Sequence, residues 1–244
     1  HNPNPYERLH FLKHYPEARI LQLIRNPVQS LESWVYEVTS NDTTQKTNDT
    51  LLIKEWRSMA AKIRSLFQQI LFPLQDKSSN YGIRLEDIKH NPQEVMPQIA
   101  AWMGIDDHEE LYKSSFCGLQ YWGPPSATGK ITGFDTKAID MSVGRLLGAR
   151  DITILETLFW PLNNTYSYTQ IDAHEFQLRL AEIRPWLDEP LEVESKIYEQ
   201  ILDHSTPIKK LDPYVRLHQF MHLLWKTLDR DKMYMGIPTR LELK

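Results

Sequence analysis

The sequence predicts an α/β fold, a parallel sheet flanked by helices, with a mostly helical C-terminal third. Three observations predict it. Short β-prone runs occupy residues 18–24 and 81–85, and the first, nearly continuously apolar, suits an interior strand of a parallel sheet. Each run leads into a segment with apolar residues at helical spacing, and strand–helix alternation is the pattern of an α/β layer. Beyond about residue 172 the apolar spacing is helical throughout.

Taken in order, Ala18-Arg-Ile-Leu-Gln-Leu-Ile24 ends abruptly at Arg25-Asn26-Pro27. Asn26 is a good N-cap and Pro27 is pre-set for a first helical turn. Val28, Leu31, Val35 and Val38 then give a helix of about three turns. Residues 39–50, rich in Thr, Asn and Asp, read as a loop. A long amphipathic helix follows, with Leu52, Trp56, Met59, Ile63, Leu66 and Ile70 on one face. After the strand at Tyr81–Leu85, Asn91-Pro92-Gln93-Glu94 has the form of a capping box, and its helix closes at Gly104. Residues 115–140 are irregular, with Pro124-Pro125 and Gly at 118, 123, 129 and 133. Residues 151–162 read as one helix, and further starts are expected near Asp172, Glu189 and Asp212. Asp172 with Glu175 is a second capping-box signature.

Composition narrows the function classes. The chain has 244 residues, 41 % hydrophobic and 25 % charged, with a net charge of −4. That balance argues against general affinity for nucleic acid or anionic membranes, while leaving room for a local basic pocket. The single cysteine, Cys117, excludes an intrachain disulfide and favours a reducing, cytoplasmic setting. Sequons at Asn41, Asn48 and Asn163 point the other way, toward a secretory lumen. No apolar run reaches the ~20 residues of a membrane span.

The strand-to-helix junction carries the chemistry. A strand ending in Arg25 and passing into an Asn26-Pro27 helix start makes an anion site, because free N–H groups and the helix dipole both favour negative charge there. Arg25 adds a planar, permanently charged donor fork suited to phosphate. Ser30 and Ser33 share the helix face opposite the Val28/Leu31/Val35/Val38 stripe and could add a hydroxyl. Such a pocket lies outside the carboxyl ends of parallel strands, where open α/β sheets bind ligands.

Ile20-Leu-Gln-Leu-Ile-Arg25-Asn-Pro27, with Ser33 eight residues after the Arg, resembles the 3'-phosphate-binding motif of sulfotransferases that use 3'-phosphoadenosine 5'-phosphosulfate (PAPS). His14-Tyr15-Pro16-Glu17-Ala18-Arg19 resembles the lead-in to that strand. Tyr81-Gly-Ile-Arg-Leu-Glu86-Asp87-Ile-Lys-His-Asn91-Pro92, running on to Gly104-Ile105, is similar to the family's Tyr-Glu-Asp-Leu segment. Trp122-Gly123 and Gly133-Phe134-Asp135 are similar to a loop of bacterial members.

The resemblance implies a P-loop-NTPase-like sulfotransferase fold, a partial α/β core over residues 1–170 and a helical extension over 171–244 packed on it. The family's sulfate-gripping P-loop is not in this sequence, so the chain is expected to lack an N-terminal part, and the resemblance implies that activity depends on that part. Leu85 stands where the family has Tyr before Glu-Asp, and the Arg-Lys-Gly closing sequence is absent. By the resemblance, Arg25 and Ser33 grip the 3'-phosphate, Lys130 and Gly133 of the Ser126–Gly133 loop stand in for the closing sequence, and His1 of His1-Asn2-Pro3, 24 residues before Arg25, is the candidate base. Tyr121 and Trp122 are candidates to line the pocket of a hydroxylated small-molecule, lipid or carbohydrate acceptor.

Other features read as structural. Glu86 and Asp87, as adjacent strand residues, point to opposite faces rather than forming a dyad. Gly123–Lys130 fails as a Walker A loop, because five residues separate Gly123 from Gly129 and Ile131 follows the Lys. The His residues are scattered and His218/His222 lack a third ligand, so no metal is expected. The stripe Leu217, Phe220, Met221, Leu224 and Leu228 suits helix packing or a homodimer face. Two rival readings stay open: a nucleotide kinase of related α/β fold, and a non-catalytic protein-interaction module.

Overall fold

The computed structural model describes residues 5–40, 65, 80–113, 115–116, 119–120, 134–137, 139–140, 142–195, 212–231 and 237–243. In chain order the elements are α1 (Pro5–His14), β1 (Ile20–Ile24), α2 (Pro27–Ser40), β2 (Asn80–Arg84), α3 (Leu85–His90), α4 (Pro92–Met103), β3 (Ser115–Phe116) and β4 (Leu119–Gln120). They continue with α5 (Ala149–Leu158), α6 (Trp160–Thr165), α7 (Ala173–Ile183), α8 (Asp212–Lys226) and β5 (Thr239–Arg240). The chain divides into two compact units that interleave along the sequence: residues 17–25, 76–141 and 238–244 form one, and 1–16, 26–75 and 142–237 the other.

The first unit holds a parallel sheet in the order β1-β2-β5. Ile20 pairs with Asn80 and Ile24 with Arg84, while Tyr81 and Gly82 pair with Thr239 and Arg240. Parallel neighbours must be reached by crossover connections, which is why β1 and β2 are far apart in sequence. Ile83 of β2, Ile88 of α3 and Val95 and Ile99 of α4 form the core, ringed by Leu21, Met96, Phe134, Leu241 and Leu243. Burying each such aliphatic side chain contributes roughly 1.5–3 kcal/mol. In this unit Tyr81 meets Trp102 edge to face at 5.4 Å, and the Arg19 guanidinium lies 5.9 Å from the Trp102 ring and donates to the Trp102 carbonyl.

Four expectations are corrected here. The strand stops at Arg84, so Glu86 and Asp87 lie in the first turn of α3, where acidic side chains favour the positive end of the helix dipole. Glu86 is buried, while Asp87 pairs with Arg84 at 3.6 Å and Arg240 at 3.8 Å. Asn91 makes no side-chain cap bond to α4. It is shared between two helices: its N–H closes α3 on the Asp87 carbonyl at 3.0 Å, and its carbonyl accepts Val95 N–H at 3.0 Å. That double duty leaves it at φ −128°, ψ 51°. Residues 115–120 are not wholly irregular, since β3 and β4 pair antiparallel. The chain is also not helical throughout beyond residue 172, because β5 joins the sheet and Leu241 N–H bonds the Gly82 carbonyl at 2.8 Å.

The helical unit is organised around α5, which packs against α2, α7 and α8. Val28, Leu31 and Val35 of α2 are fully buried, as their spacing predicts. The expected single helix at 151–162 is instead two, α5 and α6, separated at Phe159. Pro161 has no N–H to continue the α5 ladder, whereas in the first turn of a helix that N–H is not needed, so the chain restarts as α6. Trp160 stacks on Phe176 at 4.2 Å and donates to the Ile171 carbonyl at 3.0 Å. Trp225 donates to the Leu180 carbonyl at 2.8 Å under the Arg184 guanidinium. The start expected near Glu189 falls at Glu192, after a 3-10 turn at Pro185–Asp188. α2 is described over Pro27–Ser40 and α8 over Asp212–Lys226, and the residues just before Asp212 lie outside the described ones. The rest of the 39–50 loop and the 52–70 helix, Ser65 apart, lie outside the described residues.

Candidate functional site

Arg25 follows the last residue of β1 and is half-buried. The boundary between the two units falls between Arg25 and Asn26, so Arg25 belongs with the sheet and Ser33 with the helical unit. Asn26 caps α2 as its identity predicts: its Oδ1 accepts the N–H groups of Val28 and Gln29, both at 3.0 Å. Ser30 N–H bonds the Asn26 carbonyl at 2.8 Å, and Pro27 has no N–H to offer. The first turn of α2 therefore satisfies its own donors. That corrects the expectation of free N–H groups; Ser30 and Ser33 are half-buried on α2.

Glu32, the residue before Ser33, is the feature that the sequence reading passed over. It is fully buried on the apolar face of α2, four residues after Val28 and three before Val35. Its carboxylate accepts backbone N–H groups from Leu146 at 2.7 Å, Leu147 at 3.0 Å and Gly144, whose N–H lies 3.1 Å from both oxygens. Gly144 has φ 96°, a left-handed value that curls neighbouring N–H groups toward one point. The 144–147 segment is thus an anion-binding nest filled by the chain's own carboxylate. Arg145 closes it: its Nε lies 3.9 Å from Glu32, and its guanidinium stands 5.4 Å from the Tyr36 ring, one helical turn beyond Glu32. A charged residue at a core position of α2 is the sequence signal that could have found it.

A second buried acidic cluster lies in the same unit. Asp151, in the first turn of α5, accepts Glu192 N–H at 2.8 Å and Val193 N–H at 3.0 Å. Glu194 accepts Leu191 N–H at 3.0 Å, and its other oxygen is buried without a hydrogen-bond partner among the described residues. Burial pushes both carboxyls up, and the Asp151 charge adds to the shift on Glu194, which reaches about 7. Arg150 braces the same turn through the Pro190 carbonyl at 2.8 Å and Glu189 at 3.3 Å.

The other expected site residues, His1, Tyr121, Trp122, Lys130 and Gly133, lie outside the described residues, as does Cys117. The His218 and His222 rings are engaged locally, with the Glu189 carbonyl at 3.0 Å and Asp188 at 3.3 Å. Among the described residues no group of three or more His, Cys, Asp or Glu could hold a metal, and no helix is long and apolar enough to cross a membrane.

No curated protein and no solved structure matches the chain. The family model described as "Sulfotransferase family" matches residues 1–110, a span that takes in β1, the Arg25-Asn26-Pro27 junction, α2, β2, α3 and α4. That match supports a sulfotransferase-family domain within residues 1–110.

Proposed function

We propose that this chain transfers a sulfuryl group from PAPS to a hydroxyl or amine of a small-molecule, lipid or carbohydrate acceptor. The observation that carries the reading is the β1–Arg25–Asn26–Pro27–α2 junction, with Ser33 on the helix, inside the segment that matches the sulfotransferase family. Arg25 and Ser33 hold the 3'-phosphate by side-chain donors. A guanidinium fork suits a dianionic phosphate, and charge-assisted bonds are roughly twice as strong as neutral ones. His1 acts as the base that takes the acceptor proton as the acceptor attacks sulfur in line. The bond from sulfur to the bridging oxygen of the donor breaks, and 3'-phosphoadenosine 5'-phosphate leaves. Lys130 and Gly133 close over the nucleotide, and Tyr121 and Trp122 line the acceptor side. On this reading residues 1–170 are a partial sulfotransferase α/β core without its P-loop part and 171–244 a helical extension, and the single cysteine supports a cytoplasmic setting.

A titration with 3'-phosphoadenosine 5'-phosphate, with 5'-AMP as the control lacking the 3'-phosphate, tests the donor site. Saturable binding that prefers the 3'-phosphate, and falls on the order of tenfold or more in Arg25→Ala, is the expected result. Equal binding of the two nucleotides by the wild type would overturn the PAPS reading. A preference that survives Arg25→Ala would remove Arg25 from its role.

A further inference from the structure

We infer that Glu32 is a positioning residue for the 3'-phosphate site: by filling the 144–147 nest it sets the rotation of α2, and with it the place of the Ser33 hydroxyl. The inference rests on the PAPS reading above.

The argument starts from what a carboxylate costs in that position. Glu32 lies among Val28, Leu31 and Val35 on the buried face of α2 and is fully shielded from solvent. An apolar side chain would pack there without the desolvation penalty of a buried charge. What an apolar side chain cannot do is specify an angle. Greasy contacts tolerate small sliding and rotation, whereas hydrogen bonds at 2.7–3.1 Å to the N–H groups of Gly144, Leu146 and Leu147 do not. The best-attested use of a buried polar group is this fixing of register.

The clamp also has its own built partner. The left-handed backbone at Gly144 aims the nest, and Arg145 stands beside the carboxylate and over the Tyr36 ring. The ring and the carboxylate belong to successive turns of α2, so the 144–147 segment grips this helix at two levels. Ser33 follows Glu32 directly, and successive helix residues are separated by about 100°. A helix turned by a fraction of that angle carries the Ser33 oxygen off a phosphate, because hydrogen-bond strength falls steeply with distance and angle.

The test compares binding of 3'-phosphoadenosine 5'-phosphate and 5'-AMP in the purified wild type, Glu32→Gln, Gly144→Ala and Ser33→Ala. The readout is the ratio of the two affinities, which a general loss of fold does not move selectively. Glu32→Gln is expected to lower that ratio on the order of tenfold while changing 5'-AMP affinity less than about twofold, and Ser33→Ala to do the same. Gly144→Ala approaches the clamp from the other side. Among the described residues its new methyl meets only Ile152, at 3.8 Å, so it acts by straining a left-handed backbone and leaves Glu32 in place. It is expected to shift the ratio in the same direction by a smaller factor, and it decides the question if Glu32→Gln does not fold. A wild-type preference for the 3'-phosphate that persists in both Glu32→Gln and Gly144→Ala overturns the inference alone. Parallel losses for both nucleotides overturn it too, as a purely structural role. A wild type without preference overturns the PAPS reading and this inference together.

Discussion

Glu32 and Glu194 are both fully buried glutamates of the helical unit, and both spend themselves on backbone N–H groups rather than on a salt bridge within normal hydrogen-bonding distance. Their donor supply differs. Glu32 faces a curved segment that brings three N–H groups to its two oxygens. Among the described residues Glu194 receives one N–H, from Leu191, and shares its surroundings with the Asp151 carboxylate, which takes the N–H groups of Glu192 and Val193 for itself. The consequence is electrostatic. A buried carboxyl with one donor and an acidic neighbour is pushed up to about 7, into the range where it gains and loses its proton near neutral pH. Burial is the first cause of that shift and the Asp151 charge adds to it, while the Leu191 N–H works against both.

The largest effect is expected at the richer site. Glu32→Ala strands the N–H groups of Gly144, Leu146 and Leu147 and opens a cavity between Val28 and Val35, and should cost about 3–5 kcal/mol in denaturant unfolding. A cost below about 1 kcal/mol would mean that the 144–147 segment finds other acceptors, and the contrast between the two sites would be lost.

Glu194 should show the opposite sign near neutral pH. Its folded-state value, about 7, lies above the ordinary 4.5, so the unfolded chain releases this proton first as pH rises. The contribution is complete below about pH 4.5 and is lost as pH passes through about 7. Glu194→Gln keeps an acceptor for Leu191 N–H and adds an amide donor with no charge to bury. It should match the wild type near pH 4 and exceed it by on the order of 3 kcal/mol near pH 8, by denaturant unfolding at each pH. Asp151, Glu192, Arg150 and Glu189 are the charged groups around that turn, and Asp151 is itself shifted upward, so Asp151→Asn should flatten the same pH profile. A wild-type-to-Glu194→Gln difference independent of pH would contradict the assignment.

What could be read from the sequence was local. Asn26 before Pro27 caps α2, Asp172 caps α7, and Gly104 closes α4 with the paired bonds Gly104 N–H to Ala101 and Ile105 N–H to Ala100. Each depends on residues within a few positions of one another. Asn91 failed because two helices compete for one residue, and the break before Trp160 was missed because Pro161 was read as continuing a helix rather than as sitting in the first turn of a new one. The Glu32 nest was illegible for a different reason: its donors lie 112 to 115 residues away, and nothing in Gly144-Arg-Leu-Leu147 names its partner. β5 gives only two paired residues, yet the Leu241/Leu243 alternation after Pro238 was a usable sign. At His1, Tyr121, Trp122, Lys130 and Gly133 the reading remains one of sequence.

The smallest effect sharpens the comparison by removing burial from it. Asp172 does on the surface what Glu32 does in the core: its Oδ1 accepts His174 and Glu175 N–H, both at 2.8 Å, while Glu175 itself turns to Arg179 at 3.0 Å. Water can replace an exposed cap, so Asp172→Ala should cost only about 1 kcal/mol. Asp172→Asn should be nearly neutral, since an amide oxygen caps as well as a carboxylate. The same change of acid to amide in Glu32→Gln brings an NH2 group against N–H donors with no water to intervene, and should be clearly destabilising. Both amide variants leave the acceptor oxygen and the side-chain length in place. The difference between their unfolding free energies therefore isolates the part of the carboxylate's work that depends on being shut away from solvent. Equal costs at the two positions would show that the nest is no more demanding than a helix cap, and the claim that Glu32 fixes the angle of α2 would lose its physical basis.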